Sequence, residues 1–355
     1  MRPIVWIAGV GGIGGVVGYR LTKAGRAPVL VDGWAEHVGA MNAQGLVLKG
    51  QFDDAAVPVR AVTIDELDSA GEAPDLVYLC VKSFQTEDTV RALLPYLTSS
   101  SSVVSLQNGI NEEAIAQAIG KERVIGGVAL IDGALIAPGV ARQDNPAERG
   151  FVLGDLAGRA SEVVERAAAV LSDFGEVRIT SNIWGELWAK LVHNCMMNAV
   201  CTLTGRNAAW ILRDPAVWRF ARALEAEAVR VALASGVTPE GSCLYGCTPQ
   251  DFLEEAGEPR VAQALRAAYP ASGDLYPSMV QDVWKGRPTE IEFMNGFIVR
   301  KGEQVGIETP HNAAITALIH RIERGELEPD ATNKHLLQDA LPGLASAKDT
   351  GVGRR

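Results

Sequence analysis

Three polar side chains recur at every fourth position of an otherwise apolar run: Lys190, Asn194 and Asn198, within the stretch Trp184 to Val200. At 3.6 residues per turn they share one face of a helix that is apolar nearly all round, so the helix is read as buried. A lysine in such surroundings is costly and is seldom kept for packing alone. The arrangement suits Lys190 to protonate a carbonyl oxygen while the carbon receives hydride, with the two amides binding the substrate. A polar seam between helices is the structural alternative. Further along, Thr289 reads as the cap of a helix that carries Ile291, Met294 and Ile298 inward and ends near Gly306. Glu290 falls in its first turn, either as a partner of the helix dipole or as the counter-ion that orients Lys190.

Hydride needs a carrier, and the start of the chain is built to hold one. The apolar run from Ile4 to Ala8 enters Gly9-Val10-Gly11-Gly12-Ile13-Gly14, a G-x-G-x-x-G pattern followed by the helical stretch Val16 to Ala24. The first glycine permits the turn, the second lets backbone approach a pyrophosphate, and the third lets helix pack on strand. Gly9, Gly11, Gly12, Ile13 and Gly14 are the candidate cofactor-binding residues. Asp32 ends the next strand, Pro28 to Asp32, about 20 residues on, where a carboxylate accepts from the ribose hydroxyls of NAD. Gly33, Trp34, Ala35 and Glu36 follow without a cation for a 2′-phosphate, which predicts NAD(H) over NADP(H). Asp32 as a cap or turn residue is the alternative.

Strands alternate with helices through the first half. After Asp32 the pattern predicts a helix over Glu36–Asn42 and strands over Leu46–Leu48, Val57–Val62 and Leu76–Val81. A helix over Gln85–Leu97, a strand over Ser102–Leu106, a helix over Glu112–Ile119 and a strand over Val124–Val128 come next. Such alternation makes an α/β fold, a Rossmann-type doubly wound parallel sheet whose carboxyl edge is the ligand edge. Lys82 and Asn108 fall just past two strand ends, beside the expected cofactor crevice. Strand Phe151–Asp155, helix Glu162–Asp173 and strand Glu176–Ile179 complete this half. Beyond Ser181 the pattern is helical. The expected organisation is a dinucleotide domain over 1–180, an all-α substrate and dimerisation domain over 181–344, and a disordered tail over 345–355.

Composition agrees with a soluble enzyme. Of 355 residues, 47% are hydrophobic and 21% charged, with net charge −10. No basic patch interleaves with aromatics, which argues against nucleic acid as a partner. No run reaches the roughly 18 apolar residues of a membrane span. The first strand starts at once, which predicts no cleaved leader and a cytoplasmic setting. Cys80, Cys195, Cys201, Cys243 and Cys247 read as reduced, buried thiols, and no metal site is expected.

Taken together, the motifs resemble the ketopantoate reductase (2-dehydropantoate 2-reductase) family over roughly residues 3–320. They are Gly9 to Gly14, Val81-Lys82-Ser83-Phe84-Gln85, Gln107-Asn108-Gly109, Pro138-Gly139, Lys190 with Asn194 and Asn198, Ser278 through Asp282, and Thr289 to Glu292 with Asn295-Gly296. The resemblance implies reduction of a 2-oxo acid to a 2-hydroxy acid by nicotinamide hydride. It makes Lys190 the general acid and Glu290 its positioning partner. Asn194, Asn198 and Ser278 become substrate contacts, Lys82 and Asn108 lie at the cofactor–substrate junction, and the molecule is a homodimer. Three departures stand out. Asp32-Gly33 replaces the family's arginine after the second strand. Leu275 stands where a polar asparagine is usual. The segment from Glu240 to Asp274, with Cys243, Tyr245, Cys247 and Tyr269, is long. These leave open NAD-dependent oxidation of another 2-hydroxy acid or secondary alcohol. A non-catalytic NAD-binding scaffold is a further alternative, against which the intact Lys190 and Glu290 argue.

Overall fold

The structure, a computed structural model, describes residues 2–50, 52–145, 150–173, 175–269 and 276–339. Contacts divide it into two compact units that meet in sequence between Leu187 and Trp188. No helix among the described residues is long and apolar enough to cross a membrane.

The first unit runs β1 (Val5–Ala8), α1 (Gly12–Lys23), β2 (Val29–Asp32), α2 (Ala35–Gln44), β3 (Leu46–Lys49), β4 (Ala55–Val57), β5 (Arg60–Thr63), β6 (Leu76–Leu79), α3 (Thr86–Leu93), β7 (Ser102–Ser105), α4 (Glu112–Ile119), β8 (Val124–Ala129), β9 (Gly133–Ala137), β10 (Val140–Gln143), β11 (Phe151–Asp155), α5 (Glu162–Leu171) and β12 (Val177–Ile179). The main sheet has the order β12-β11-β8-β7-β6-β1-β2-β5. From β8 to β5 every pairing is parallel, while β11 pairs antiparallel to β8. The parallel strands are apolar on both faces because helices cover both. Val5 and Ile7 enter one core with Leu30, Tyr78 and Val104. Trp6 and Ala8 enter the other with Val29, Val77 and Val103. Strand order reverses beside β1, the position at which open α/β sheets bind ligands at their carboxyl edge.

Two local expectations change. The strand expected over Val57–Val62 is two strands in different sheets: β4 joins the small sheet β4-β3-β10-β9, and β5 edges the main one. Pro58 lies at the break and has no N–H for a ladder. The helix expected over Gln85–Leu97 is α3 followed by a 3-10 turn, Leu94–Tyr96, with Pro95 in it.

The second unit is helical. α6 (Ile183–Thr204) spans the division, and α7 (Ala208–Ile211), α8 (Pro215–Ala234), α9 (Pro249–Leu253), α10 (Glu258–Ala268), α11 (Ser278–Trp284), α12 (Asn295–Val305), α13 (Pro310–Glu323) and α14 (Lys334–Asp339) follow. Thr289 does not cap the long helix. Its hydroxyl accepts from Ile291 N (3.2 Å), which opens a 3-10 turn over Ile291–Phe293, and α12 starts afresh at Asn295. As expected, α12 ends at Gly306, with φ 74°. Leu275 and the tail over 345–355 lie outside the described residues.

Candidate active site

The glycine loop follows β1 and is held from both sides. Gly9 has φ +90°, and a Cβ there would stand 2.6 Å from Val81 N, so neither the turn nor β6 leaves room for a side chain. A Cβ on Gly14 would meet Gly9 O at 1.9 Å, which is the close helix-on-strand packing the third glycine allows. Gly11 differs, because nothing lies within 4 Å of a Cβ built there. Its lack of a side chain is therefore not required by the protein's own packing. The first turn of α1 has no capping side chain and no acid. An open backbone cradle at a helix N-terminus suits a pyrophosphate, so these residues fit a dinucleotide. Gly12 and Ile13 are half-buried beside it.

Val10, inside this loop, is gripped at both polar atoms. Its N–H donates to Asp32 Oδ2 (2.7 Å), and its carbonyl accepts from His37 Nε2 (2.9 Å). Asp32 Oδ1 accepts from Trp34 N (2.9 Å), so the carboxylate also shapes the turn after β2. His37 is fully buried, and its Nδ1 accepts from Gly139 N (2.7 Å). Since Gly139 can only donate, Nδ1 bears no proton and Nε2 is the donor. Sequence reasoning missed His37 as an anchor. Its partners lie in the glycine loop after β1 and on the β9–β10 turn, and no local pattern signals them.

The loops after β6 and β7 are tied together. Ser83 Oγ and Asn111 Nδ2 donate to Asn108 O (2.9 and 2.8 Å), and Gln107 Nε2 donates to Val81 O (3.0 Å) and Thr86 Oγ1 (2.7 Å). Lys82 and Asn108, both half-buried, are thereby carried on one braced edge. Gly9, Lys82 and Asn108 follow the carboxyl ends of neighbouring strands, and Asp32 is the last residue of the next one.

In the second unit, every residue of α6 from Gly185 to Thr204 is buried except Lys190, which is half-buried. Lys190 thus reaches solvent from a helix otherwise sealed, a softer burial than the pattern alone suggests. Beside it Asn194 Nδ2 and Asn198 Oδ1 are buried atoms without a hydrogen-bond partner among the described residues. Unpartnered buried amides are rare in structural seams. His193, one residue before Asn194, stacks on Tyr269 (centroids 5.6 Å, 11°) and pairs its Nε2 with that hydroxyl at 2.7 Å. Burial, and then the Lys190 charge, push its pKa down to about 4, so it adds no second cation to the stripe. Tyr269 and Tyr245, which stands edge-on to His193, come from the long segment after Glu240.

Glu290 is buried, and its neighbour Thr289 donates through N and Oγ1 to Glu323 Oε1 (2.9 and 2.7 Å). Asn295, at the head of α12, donates Nδ2 to Cys195 O on α6 (3.0 Å) and to Asn312 Oδ1 (3.0 Å). The segment carrying Glu290 is therefore anchored to the helix that carries Lys190. Ser278 opens α11 and is half-buried. No disulfide joins the cysteines among the described residues. Burial pushes the Cys80 thiol up to about 12 and raises Cys195 and Cys201 as well, so these three are poor nucleophiles.

Comparison with known proteins agrees with this geometry. Residues 5–158 match the family described as ketopantoate reductase PanE/ApbA, and residues 182–323 match its C-terminal counterpart. The 2-dehydropantoate 2-reductase of Pyrococcus abyssi is 31% identical over 319 residues, 89% of this chain and 96% of the relative. A PanE/ApbA family ketopantoate reductase from Ralstonia eutropha JMP134 superposes with TM-score 0.77 at 30% identity, over 91% of this chain and 99% of that one. D-mandelate dehydrogenase, solved with NADH and anilino(oxo)acetate, superposes with TM-score 0.77 at 26% identity, over 90% and 98%. The chain belongs to the ketopantoate reductase family and is a nicotinamide-dependent oxidoreductase acting on the alcohol–ketone couple.

Proposed function

We propose that this chain reduces the 2-oxo group of a 2-oxo acid, 2-dehydropantoate first among them, and prefers NADH. The observation that carries the reading is the stripe on α6. A half-buried lysine stands in line with two buried amide atoms that lack partners among the described residues, Asn194 Nδ2 and Asn198 Oδ1. A substrate with oxygen and hydroxyl groups satisfies both. When bound, the nicotinamide supplies a hydride to the carbonyl carbon. As the carbonyl oxygen takes on the electron pair, Lys190 Nζ stabilises the charge and gives it a proton, and the neutral amine regains one from water. Glu290 serves as the counter-ion that aims Lys190, and Ser278 receives the substrate carboxylate. Lys82 and Asn108 sit where nicotinamide and substrate meet. The preference for NADH rests on Asp32, whose remaining lone pairs accept the ribose hydroxyls and repel a 2′-phosphate, with no cation at residues 33–36.

A second reading has its own support. D-mandelate dehydrogenase with NADH is as similar in fold as the ketopantoate reductase. On that reading another 2-hydroxy acid is oxidised with NAD. Steady-state turnover of 2-dehydropantoate and of the 2-oxo acid of mandelate, each with NADH and NADPH, separates the two. Efficient reduction of 2-dehydropantoate supports the first. Turnover of the aromatic oxo acid alone supports the second. Asp32→Ala is expected to shrink the NADH preference about tenfold or more, and an unchanged NADH/NADPH ratio removes Asp32 as the ribose reader.

A further inference from the structure

Trp34 follows β2 directly after Gly33, and the residue is 36% exposed although its side chain is the largest kind of apolar ring. Its placement is over-determined. The backbone N–H is held by Asp32 Oδ1 at 2.9 Å, and the other oxygen of the same carboxylate holds Val10 N at 2.7 Å. One carboxylate thus joins Trp34 to the glycine loop. One side of the indole stacks on His37, with centroids 5.8 Å apart and planes at 28°. His37 cannot yield, since it is fully buried and bonded through both nitrogens to Val10 O and Gly139 N. A Cβ on Gly33, between the acid and the indole, would meet nothing within 4 Å.

We infer that the outer face of Trp34 is the stacking platform for the adenine ring of the dinucleotide, with His37 as its backing. The inference rests on the dinucleotide reading of the glycine loop. With the pyrophosphate at the start of α1 and the adenosine ribose at Asp32, the base extends past the end of β2, where this ring stands. A flat base gains most from an aromatic face that is already fixed, because little side-chain freedom remains to be lost on binding. His37 supplies that fixity and links the platform to the loop that holds the phosphates. The recognised chemistry is a purine on a ribose, and the platform itself is indifferent to the nicotinamide end.

Equilibrium titration with ADP-ribose, which carries the adenosine and pyrophosphate but transfers no hydride, tests this without turnover. Trp34→Ala and Trp34→Leu are expected to weaken ADP-ribose roughly ten- to a hundredfold, the range of base–aromatic stacking. Trp34→Phe, which keeps a π-face, is expected to stay within about fivefold of wild type. Circular dichroism and melting temperature establish that each variant is folded. Wild-type affinity in the Ala variant overturns the inference, and so does a Leu variant that binds as well as Phe, because bulk rather than stacking is then at work. If wild type binds neither ADP-ribose nor its 2′-phosphorylated form, the dinucleotide reading fails and takes this inference with it.

Discussion

In the proposed reaction Lys190 supplies charge and the two asparagines on its stripe supply hydrogen bonds, and the lysine has its own expected signature. Lys190→Ala is expected to lower kcat by roughly two to four orders of magnitude, the usual worth of a placed general acid, while ADP-ribose still binds. Near-normal turnover of that variant removes Lys190 from the mechanism. The glycines separate in the same way. Gly11→Ala adds a methyl where nothing lies within 4 Å, so the variant is expected to melt like wild type and bind cofactor about tenfold or more weakly. Gly14→Ala drives its methyl to 1.9 Å from Gly9 O, so it is expected to lose several degrees of melting temperature as well. A comparison of melting curves with ADP-ribose titrations shows whether the two losses separate. These residues were legible in the sequence because their signals are local: a spacing of four on a helix, and glycines at fixed offsets after a strand.

At the scale of elements, the second unit is locked by a buried carboxylate that no motif marks. Glu227 on α8 accepts from His311 N (2.9 Å), His311 Nδ1 (2.6 Å), Asn312 N (2.9 Å) and Asn312 Nδ2 (2.7 Å) at the head of α13. Burial pushes this carboxyl up, but the donors around it prevail and hold it below the usual carboxylate range. Asn312 in turn receives Asn295, which reaches Cys195 O on α6. One chain of bonds therefore sets α6, α8, α12 and α13 against each other. Asn312→Ala is expected to destabilise the protein by about 3 kcal/mol, because it leaves a buried carboxylate and a buried amide short of partners. Urea unfolding measures this. A change below about 1 kcal/mol means that water has replaced the amide.

For the molecule as a whole, buried acids shape the dependence of stability on pH. Burial raises Glu112 and Glu225 to about 7, although Arg222 partly offsets this at Glu225. Both folded values exceed the unfolded one of about 4.5, so the folded state holds protons that the unfolded state has released. Stability from these groups is present in full below about pH 4.5 and declines as pH rises to about 7. Asp214, Glu227 and Glu323 are shifted down and act oppositely, losing their contribution as pH falls through the acid range. For these groups together the expected maximum lies near pH 4.5 to 5, where the gain from the lowered acids ends and the loss from the raised ones begins. Glu112→Gln is expected to flatten the decline between pH 5 and 8, by at most about 3 kcal/mol, with little effect at pH 5. Parallel melting-temperature profiles that do not diverge toward pH 8 exclude Glu112 as the source.

The sequence by itself determined the parallel sheet, the glycine loop on its edge, the helical second half and the stripe on α6. Each is written in a local pattern, continuous apolar runs for the buried strands and a period of 3.6 for helices, or in residues whose backbone chemistry is local. Only the tertiary structure decided that Val57 and Arg60 belong to different sheets, that Thr289 precedes a 3-10 turn rather than capping the long helix, and that Asp32 and His37 grip Val10 from opposite sides. It also decided which helix Asn295 holds. The hydrogen bonds concerned join residues as far apart as Gly139 and His37, 102 positions, or Asn295 and Cys195, 100 positions. Single contacts across such distances leave no periodic trace, because they depend on where whole elements pack rather than on what their neighbours in the chain are.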